Sequence, residues 1–401
     1  MAAQVIQAPV GLTADSPAHW GGVFAMALCV FALIASEFMP VSLLTPIAND
    51  LRISEGLVGQ GIAISGAFAV LTSLFISALA GRTNRKALLL GLTALMCLSG
   101  AVIGLAQSYT VYIVGRALIG VVVGGFWSMS AATAMRLVPA PQVPRALAIF
   151  NGGNALATVL AAPLGSYLGA VIGWRGAFLC LVPTSLVAFG WLWASLPSLP
   201  VQPRAARSSH VVFLLGDRRV ALGMLAVGVF FAGQFMLFTY LRPFLETVTQ
   251  VDVSSLSFIL LAIGVAGLIG TLFIGKAIQR SLYWTLTVAP LLMAGIALAL
   301  MGLGASTAAV VALLCAWGLI STATPVGWWT WLARTIPGNA EAGGGLMVAV
   351  VQLAIALGST VGGLLFDGLG YMSTFAASTV LLLAASGLVA LMSRAVVVRV
   401  P

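Results

Sequence analysis

The acidic residue Glu37 lies inside a long apolar stretch, residues 20–44, and is the first candidate for chemistry in this chain. An ionisable side chain at membrane depth costs roughly 3 kcal/mol or more, so such residues are usually functional. Because burial in apolar surroundings favours the protonated form of a carboxyl, Glu37 is a candidate proton carrier. It lies about two-thirds of the way along the stretch. A carboxyl that bridges helices, or one at the membrane interface, is therefore the alternative interpretation.

Arg116 is the basic residue that lies well inside an apolar stretch, seven positions into residues 109–136. An opposite charge nearby would favour the ionised form of Glu37, so the two residues are candidates for a pair that protonation switches. The alternative is a structural arginine that donates to backbone carbonyls, too far from Glu37 to touch it.

Polar and aromatic side chains recur at helical spacing in several other apolar stretches. An α-helix brings residues three, four and seven apart onto one face, so each set forms a stripe. Aromatic planes with amide and hydroxyl groups suit a flat solute that forms hydrogen bonds, such as a nucleoside, and they suit a sugar as well. For each ring, packing or a place in the interfacial aromatic belt is the alternative. The candidate substrate-binding residues are Trp127, Asn151, Asn154, Phe231, Gln234, Phe238, Tyr240, Thr324, Trp328 and Gln352.

The composition assigns the chain to the membrane. Of its 401 residues, 61% are hydrophobic and 7% are charged, against about 25% charged in soluble domains. Apolar stretches of about 20 residues can each span as a helix, whereas the alternating segments of a β-barrel are absent. The sequence predicts an all-α membrane protein with twelve transmembrane helices. Their predicted ranges are residues 20–45, 56–80, 87–106, 109–136, 146–171, 177–196, 220–245, 255–276, 284–303, 307–332, 343–366 and 372–394.

The net charge of +9 follows membrane topology. With the N-terminus in the cytoplasm, fourteen of the eighteen Lys and Arg residues fall in cytoplasmic segments and three in outer loops. That bias obeys the positive-inside rule and predicts that both termini are cytoplasmic. It explains the charge without a nucleic-acid partner.

Cysteine and histidine positions argue against metal and redox chemistry. The four cysteines are scattered through apolar stretches, and both histidines lie outside them. We therefore expect no metal site, no disulfide and no histidine proton relay. Residues 270–276 read GTLFIGK, but Ala277 replaces the hydroxyl that a phosphate-binding loop needs. No catalytic residue and no ATP site is predicted, which leaves an ion gradient as the energy source.

A polar break rich in Pro, Ser and Arg divides the predicted spans into two sets of six. It gives an N-terminal half at residues 1–197, a cytoplasmic linker at 198–219 and a C-terminal half at 220–401. Weak similarities between corresponding spans, such as the small-residue runs at residues 162–169 and 358–363, support a repeat. Two six-helix halves related by an axis along the membrane normal are one known transporter layout.

Several motifs are shared with known transporters. They lie at residues 37–51, 115–120 (GRALIG), 162–169 (APLGSYLG), 172–178 (IGWRGAF), 232–245 and 325–334. On them the chain resembles the major facilitator superfamily, in its twelve-span drug:proton antiporter branch, along essentially its whole length. The first motif, GGFWSMSA at residues 124–131 and the tryptophan-rich tenth span most resemble purine ribonucleoside efflux pumps. Sugar efflux proteins share the patterns of the first and seventh spans.

The resemblance implies a proton-coupled antiporter, not an enzyme, that exports purine ribonucleosides of the inosine, adenosine and guanosine class, or related purines. Arg116 and Gly120 match the R-x-x-x-G of the family's fourth span, whose arginine is associated with proton coupling. The expected partners are the solute, protons and the lipid bilayer. A monomer without cofactor is expected in the bacterial inner membrane. Sugar or multidrug efflux on the same fold, or a facilitator independent of protons, are the alternatives.

One family motif departs from its usual form. The loop after the second span normally reads G-x-x-x-D-R-x-G-R-[RK], and the family's Asp helps to lock the two halves in the outward-facing state. Here Ser77, Gly81 and Asn84 replace the first Gly, the Asp and the second Gly, while Arg82, Arg85 and Lys86 remain. The resemblance therefore does not carry that lock over to this chain.

Overall fold

A computed structural model describes residues 18–80, 83–199, 211–336 and 340–397, and the described residues form helices without any strand. Residues 200–210 of the predicted linker, the substituted loop position Gly81 and several arginines that were predicted to be cytoplasmic lie outside these ranges. The helices are α1 (Trp20–Ser42), α2 (Leu44–Leu51), α3 (Glu55–Ala80), α4 (Arg85–Gly104), α5 (Tyr109–Met135), α6 (Val143–Leu179), α7 (Leu181–Ser195), α8 (Arg218–Thr239), α9 (Leu241–Thr247), α10 (Val253–Arg280), α11 (Leu282–Leu303), α12 (Thr307–Thr335), α13 (Ala340–Leu369) and α14 (Tyr371–Val397).

Short polar side chains begin many of these helices, because the first backbone amides of a helix have no partner within it. Asn84, Asp217 and Ser281 each accept a bond from an amide of the first turn of α4, α8 and α11. Asp252 does so for α10, and bonds from the Ser255 hydroxyl and nearby amides hold the pKa of Asp252 below its usual value. These caps place the helix starts in the polar connections between apolar runs.

The described residues contain eleven segments that are long and apolar enough to span a membrane. One of them, Arg145–Ser195, has 51 residues, far more than the ~20 that one crossing needs. Gly173 interrupts it with a φ of 76°, a conformation that glycine adopts without steric penalty. The chain therefore crosses twelve times, as the sequence predicted.

Several spans extend further than predicted, and two of these extensions include acidic residues. The seventh span continues through α9 to Thr247, and the eleventh reaches Leu369. The acidic residues Glu246 and Asp367, like Glu55 at the start of the second span, lie at the ends of spanning segments.

Apolar side chains form separate cores in the two parts of the bundle. One cluster, which includes Cys29, Phe126 and Phe150, is built from α1 and α3–α7 and the residues that follow α5 and α7. Another, which includes Phe244 and Trp331, is built almost entirely from α8–α14. The division into halves at residues 197 and 220 stays a prediction.

Backbones approach closely where glycines line a helix. A Cβ added to Gly120 or Gly124 of α5 would lie 2.3 Å or 2.2 Å from the carbonyl oxygens of Ser65 and Ala69 on α3. Small residues four apart allow this close contact between membrane helices. It brings α5, which carries Arg116, against α3.

The two halves meet mainly through α3 with α13 and α6 with α10. We call the end of the bundle at which α1 and α13 finish and α3 begins the distal end. The first and last described residues lie at the other end. Contacts between the halves at the distal end include Gly56 of α3 against Gly363 of α13, where an added Cβ would lie 2.9 Å from the opposite Cα.

Candidate transport site

Glu37 lies in the contact between the two halves. It occupies the distal half of α1, and its side chain is almost fully buried, with 7% of the residue exposed. The amide Nε2 of Gln352 on α13 donates to its Oε1 over 3.1 Å. An ionisable group thus connects a helix of the first half with a helix of the second.

Arg116 lies beside the same turn of α1 and is completely buried. Its guanidinium donates to three backbone carbonyls: Nη1 to Ser36 over 2.8 Å, Nε to Gly61 over 3.1 Å and Nη2 to Glu37 over 3.3 Å. The structure therefore brings Arg116 and Glu37 together through the backbone of Glu37, not through its carboxylate.

Pro40 explains why one of those carbonyls needs an external donor. In an α-helix the amide of residue 40 would donate to the carbonyl of Ser36, but proline has no N–H. Pro40 lies inside α1, and the Nη1 of Arg116 occupies that acceptor. An unsatisfied carbonyl in an apolar bundle costs several kcal/mol, so Arg116 stabilises the turn that carries Glu37.

Aromatic rings join the halves next to Glu37. The ring of Phe38 stacks on Phe235 of α8, with centroids 5.8 Å apart and planes at 25°. Phe235 in turn meets the predicted site residue Phe238 edge to face at 6.1 Å. The seventh span therefore approaches the first span directly beside the carboxyl.

The predicted stripe on α8 contains a polar atom without a partner. Phe231 is mostly buried and packs edge to face on Phe230 at 5.3 Å. Three residues along, the Oε1 of Gln234 is buried and has no hydrogen-bond partner among the described residues. A buried acceptor without a partner is unfavourable, so this amide is available to a solute donor.

Two predicted residues of α12 are buried, and one of them, Trp328, belongs to the apolar cluster of α8–α14. The hydroxyl of Thr324 donates to the Ile320 carbonyl of its own helix over 2.7 Å. Trp328 is 1% exposed, and its ring lies 6.2 Å from those of Phe230 and Trp331. The indole Nε1 of Trp328 is buried without a partner in the described part of the chain.

The predicted residues of α5 and α6 lie apart from Glu37. Asn151 is exposed and donates to the Leu147 carbonyl over 2.9 Å, while Asn154 is half-buried. Ala162 of α6 packs against the second core, so α6 meets the other half there. Trp127 packs edge to face on Phe150 at 6.1 Å.

Tyr240 lies at the distal end, away from the other candidates. It is completely buried, its hydroxyl donates to the Ser359 carbonyl over 2.8 Å, and its ring stacks on Phe366 at 5.2 Å. A Cβ on Gly59 of α3 would meet the hydroxyl oxygen at 2.1 Å. In this structure Tyr240 packs between the two halves.

The family model for the Major Facilitator Superfamily matches residues 26–359, most of the chain. The chain belongs to this superfamily. It is a multi-pass membrane transporter with the major facilitator fold, and it is not an enzyme.

Two curated relatives are similar over nearly their whole lengths. The "Transcription regulatory protein OpdE" of Pseudomonas aeruginosa is 65% identical over 383 residues, which are 95% of this chain and 95% of the relative. The "Purine ribonucleoside efflux pump NepI" of Salmonella enteritidis is 42% identical over 367 residues, 91% of this chain and 92% of the relative.

Solved transporter structures share the fold. A bacterial homolog of the human lysosomal transporter Spinster, inward-facing and unoccupied, superposes with a TM-score of 0.76 at 16% identity, over 95% of this chain and 98% of that one. The human organic anion transporter MFSD10 gives 0.66 at 17% identity, over 93% and 100%.

The distal end of this transporter carries polar contacts that the sequence did not predict. Asp367 of α13 accepts from the Ser54 hydroxyl over 2.5 Å and from the Gly56 amide over 3.0 Å, at the start of α3. Arg242 pairs with Glu246 at 2.8 Å and donates to the carbonyl of Ser42, where α1 finishes. Both sets connect one half of the transporter to the other.

A metal centre has no support in the described part of the transporter. No group of three His, Cys, Asp or Glu residues there could hold an ion.

Proposed function

We propose that the protein is a proton-coupled antiporter that exports purine ribonucleosides, or related purines, from the bacterial cytoplasm. It would work in the inner membrane as a monomer without cofactor, with both termini cytoplasmic and the proton gradient as its energy source. The observation that carries this proposal is Glu37: a buried carboxyl between the two halves, bonded to Gln352 of the opposite half.

Protonation changes what Glu37 can do in that contact. A carboxylate only accepts hydrogen bonds, whereas a protonated carboxyl also donates one. The neutral form is also tolerated far better at this depth. In the proposed cycle an external proton binds Glu37, the halves rock about the central site, and the proton leaves on the cytoplasmic side.

The purine class rests on a relative and on the rings and amides of the second half. The relative named as a purine ribonucleoside efflux pump shares 42% of its residues with this chain. Gln234 offers a buried acceptor without a partner, between the aromatic residues Phe231 and Phe238 of the same helix. A purine has a flat face to stack and N–H groups to donate, which matches both features.

The test is inosine uptake into proteoliposomes with an acidic lumen. Inside-out copies of an exporter should accumulate labelled inosine while protons leave the lumen. Glu37→Gln, which is neutral at every pH, should lose this driven uptake by at least tenfold. Glu37→Asp, which keeps a titratable group, should retain part of it.

Three results would each contradict a part of the proposal. Driven uptake by Glu37→Gln at the level of the parent would remove Glu37 from coupling. Inosine uptake that ignores the imposed gradient would indicate a facilitator. If unlabelled sugars or lipophilic drugs compete with inosine as well as adenosine does, the purine assignment is wrong and the broader efflux alternatives replace it.

The name of the 65% identical relative favours a second candidate, an effect on transcription. A protein built of spanning helices could exert it by lowering the cytoplasmic concentration of a solute that a separate regulator senses. We expect reporter expression in a deletion strain to respond to the parent gene but not to the Glu37→Gln gene at equal membrane abundance. A full response to both genes would mean that the effect does not need transport.

A further inference from the structure

The bond between Gln352 and Glu37 also bears on how an antiporter avoids leaking protons, an inference that rests on the proposed role of Glu37. An antiporter must not reorient while it is both empty and deprotonated, since that step would complete a cycle that only carries protons. Something must therefore hold the empty, deprotonated form in one state.

The geometry points to Gln352 as that lock: its amide holds the Glu37 carboxylate across the two halves and keeps the distal end closed until a solute replaces it. The bond of 3.1 Å joins α1 to α13. It lies on the same side of the bundle as the Asp367 and Arg242 contacts. Opening the distal end separates these helices, so the bond must break.

The strength of this lock depends on the charge of Glu37. A hydrogen bond to a carboxylate is roughly twice as strong as one between neutral groups, and its loss corresponds to about a 10- to 100-fold change in an equilibrium. Protonation of Glu37 therefore weakens the bond. A solute that accepts a hydrogen bond from the Gln352 amide takes the place of the Glu37 carboxylate. Binding of either a proton or a solute therefore permits reorientation.

Arg116 is the charged group that faces Glu37 from a neighbouring helix, and it donates to backbone carbonyls. From α13 the neutral amide of Gln352 faces the carboxyl. The charged residues of the other helices packed on α1 lie at helix ends or beyond them, away from Glu37. They are Glu55 of α3, Arg85 and Lys86 of α4, Arg145 and Arg175 of α6, and Arg242 and Glu246 of α9.

Ala356 provides a reporter for the distal end. It follows Gln352 by one turn, is 6% exposed and faces Gly66 of α3, where an added Cβ would lie 3.2 Å from the Ala356 Cβ. The reporter variant carries Ala356→Cys in a protein whose four native cysteines are replaced by serine. The new thiol is shielded while the two halves touch. An impermeant maleimide added outside right-side-out membrane vesicles therefore labels it only when the distal end opens.

Labelling is measured from pH 5 to pH 9 without any solute. Because the thiolate is the reactive form of cysteine, each rate is divided by the rate of the same protein, denatured, at the same pH. This normalised rate should be low at high pH in the parent and about 10-fold or more higher at low pH. In Gln352→Leu and in Glu37→Gln the normalised rate should be high at every pH. Gln60→Leu, which removes an amide bonded to Tyr109 instead, should keep the pH profile of the parent.

Proton flux without solute is the second measurement. Gln352→Leu in proteoliposomes should raise it about 10-fold over the parent, because the empty carrier can now return. A Gln352→Leu protein with the labelling profile and proton flux of the parent would overturn the lock. Neither measurement uses a nucleoside, so a wrong substrate assignment leaves the result readable. If Glu37 does not couple proton and solute transport, the separate uptake assay shows it, because Glu37→Gln then still takes up inosine when a proton gradient is imposed.

Discussion

Arg116→Leu is expected to destabilise the folded transporter strongly. The side chain is fully buried and donates to three carbonyls on α1 and α3. Leucine fills similar space but donates nothing, so the Ser36 carbonyl that Pro40 leaves free is stranded in an apolar bundle. Breaking such a buried network costs about 3–5 kcal/mol, and total stability is about 5–15 kcal/mol.

The role of Pro40 supplies a control within the chain. Pro40→Ala restores a backbone N–H that can reach the Ser36 carbonyl. We expect the double variant Pro40→Ala with Arg116→Leu to recover about 1–2 kcal/mol of the loss, relative to Arg116→Leu alone. Arg116→Lys keeps the charge but not the three-way donation, so it should fall between the parent and Arg116→Leu.

The measurement is the melting temperature of detergent-solubilised protein, followed by size-exclusion fluorescence. If Arg116→Leu melts within a degree or two of the parent, the structural role is wrong and a pure coupling role gains support. If Arg116→Leu lowers the melting temperature but the added Pro40→Ala change does not raise it again, the loss of stability does not come from the Ser36 carbonyl.

The pattern of apolar residues was sufficient to predict the fold. The long runs of apolar residues predicted twelve crossings, and the structure has them because each run needs ~20 residues and no other secondary structure satisfies its backbone within itself. The sixth crossing begins after Gly173, within one continuous helical segment of 51 residues. The sequence marks this turn by Gly173, Arg175 and Gly176, which lie between the predicted ranges 146–171 and 177–196.

The sequence indicated that Glu37 would be buried among apolar residues, but it did not indicate the contacts of Glu37. Glu37 was identified by its cost at membrane depth, which is a local property. Its bond to Gln352 joins residues 315 positions apart and depends on how α1 and α13 pack, which no single-sequence pattern contains. Pro40 was a usable signal, because a proline leaves the carbonyl four residues before it without its helical donor. That carbonyl belongs to Ser36, next to Glu37, and another donor must reach it.

Asp367 and Glu246 were missed because both come at the ends of apolar runs. A carboxylate there looks like an ordinary interfacial group, since water is close and the cost of charge is small. Asp367 acquires a role only because the first turn of α3, in the other half, lies against it. Residues of this kind are found by helix packing, not by their surroundings in the sequence.

Asp367→Ala is expected to shift the transporter towards a state that is open at the distal end. The carboxylate accepts from the Ser54 hydroxyl and the Gly56 amide, at the N-terminus of α3, where a negative charge also complements the helix dipole. A Cβ on Gly56 would lie 2.2 Å from Asp367 Oδ2, so this approach requires glycine. Loss of a capping carboxylate costs about 1–2 kcal/mol, or roughly a 5- to 30-fold change in the balance of states.

Spin labels at Leu105 and Leu369 can measure this shift, because both residues are largely exposed and lie at the distal ends of α4 and α13, in opposite halves. Asp367→Ala and Gly56→Ala should each add a longer-distance population. The double variant should resemble either single one, since both remove the same contact. Glu55→Gln removes a neighbouring charge that does not bond to α13, so it should keep the distances of the parent. Unchanged distances in Asp367→Ala would show that the contact does not hold the halves together, and the closed distal end would then rest on Gln352, Arg242 and packing around Tyr240.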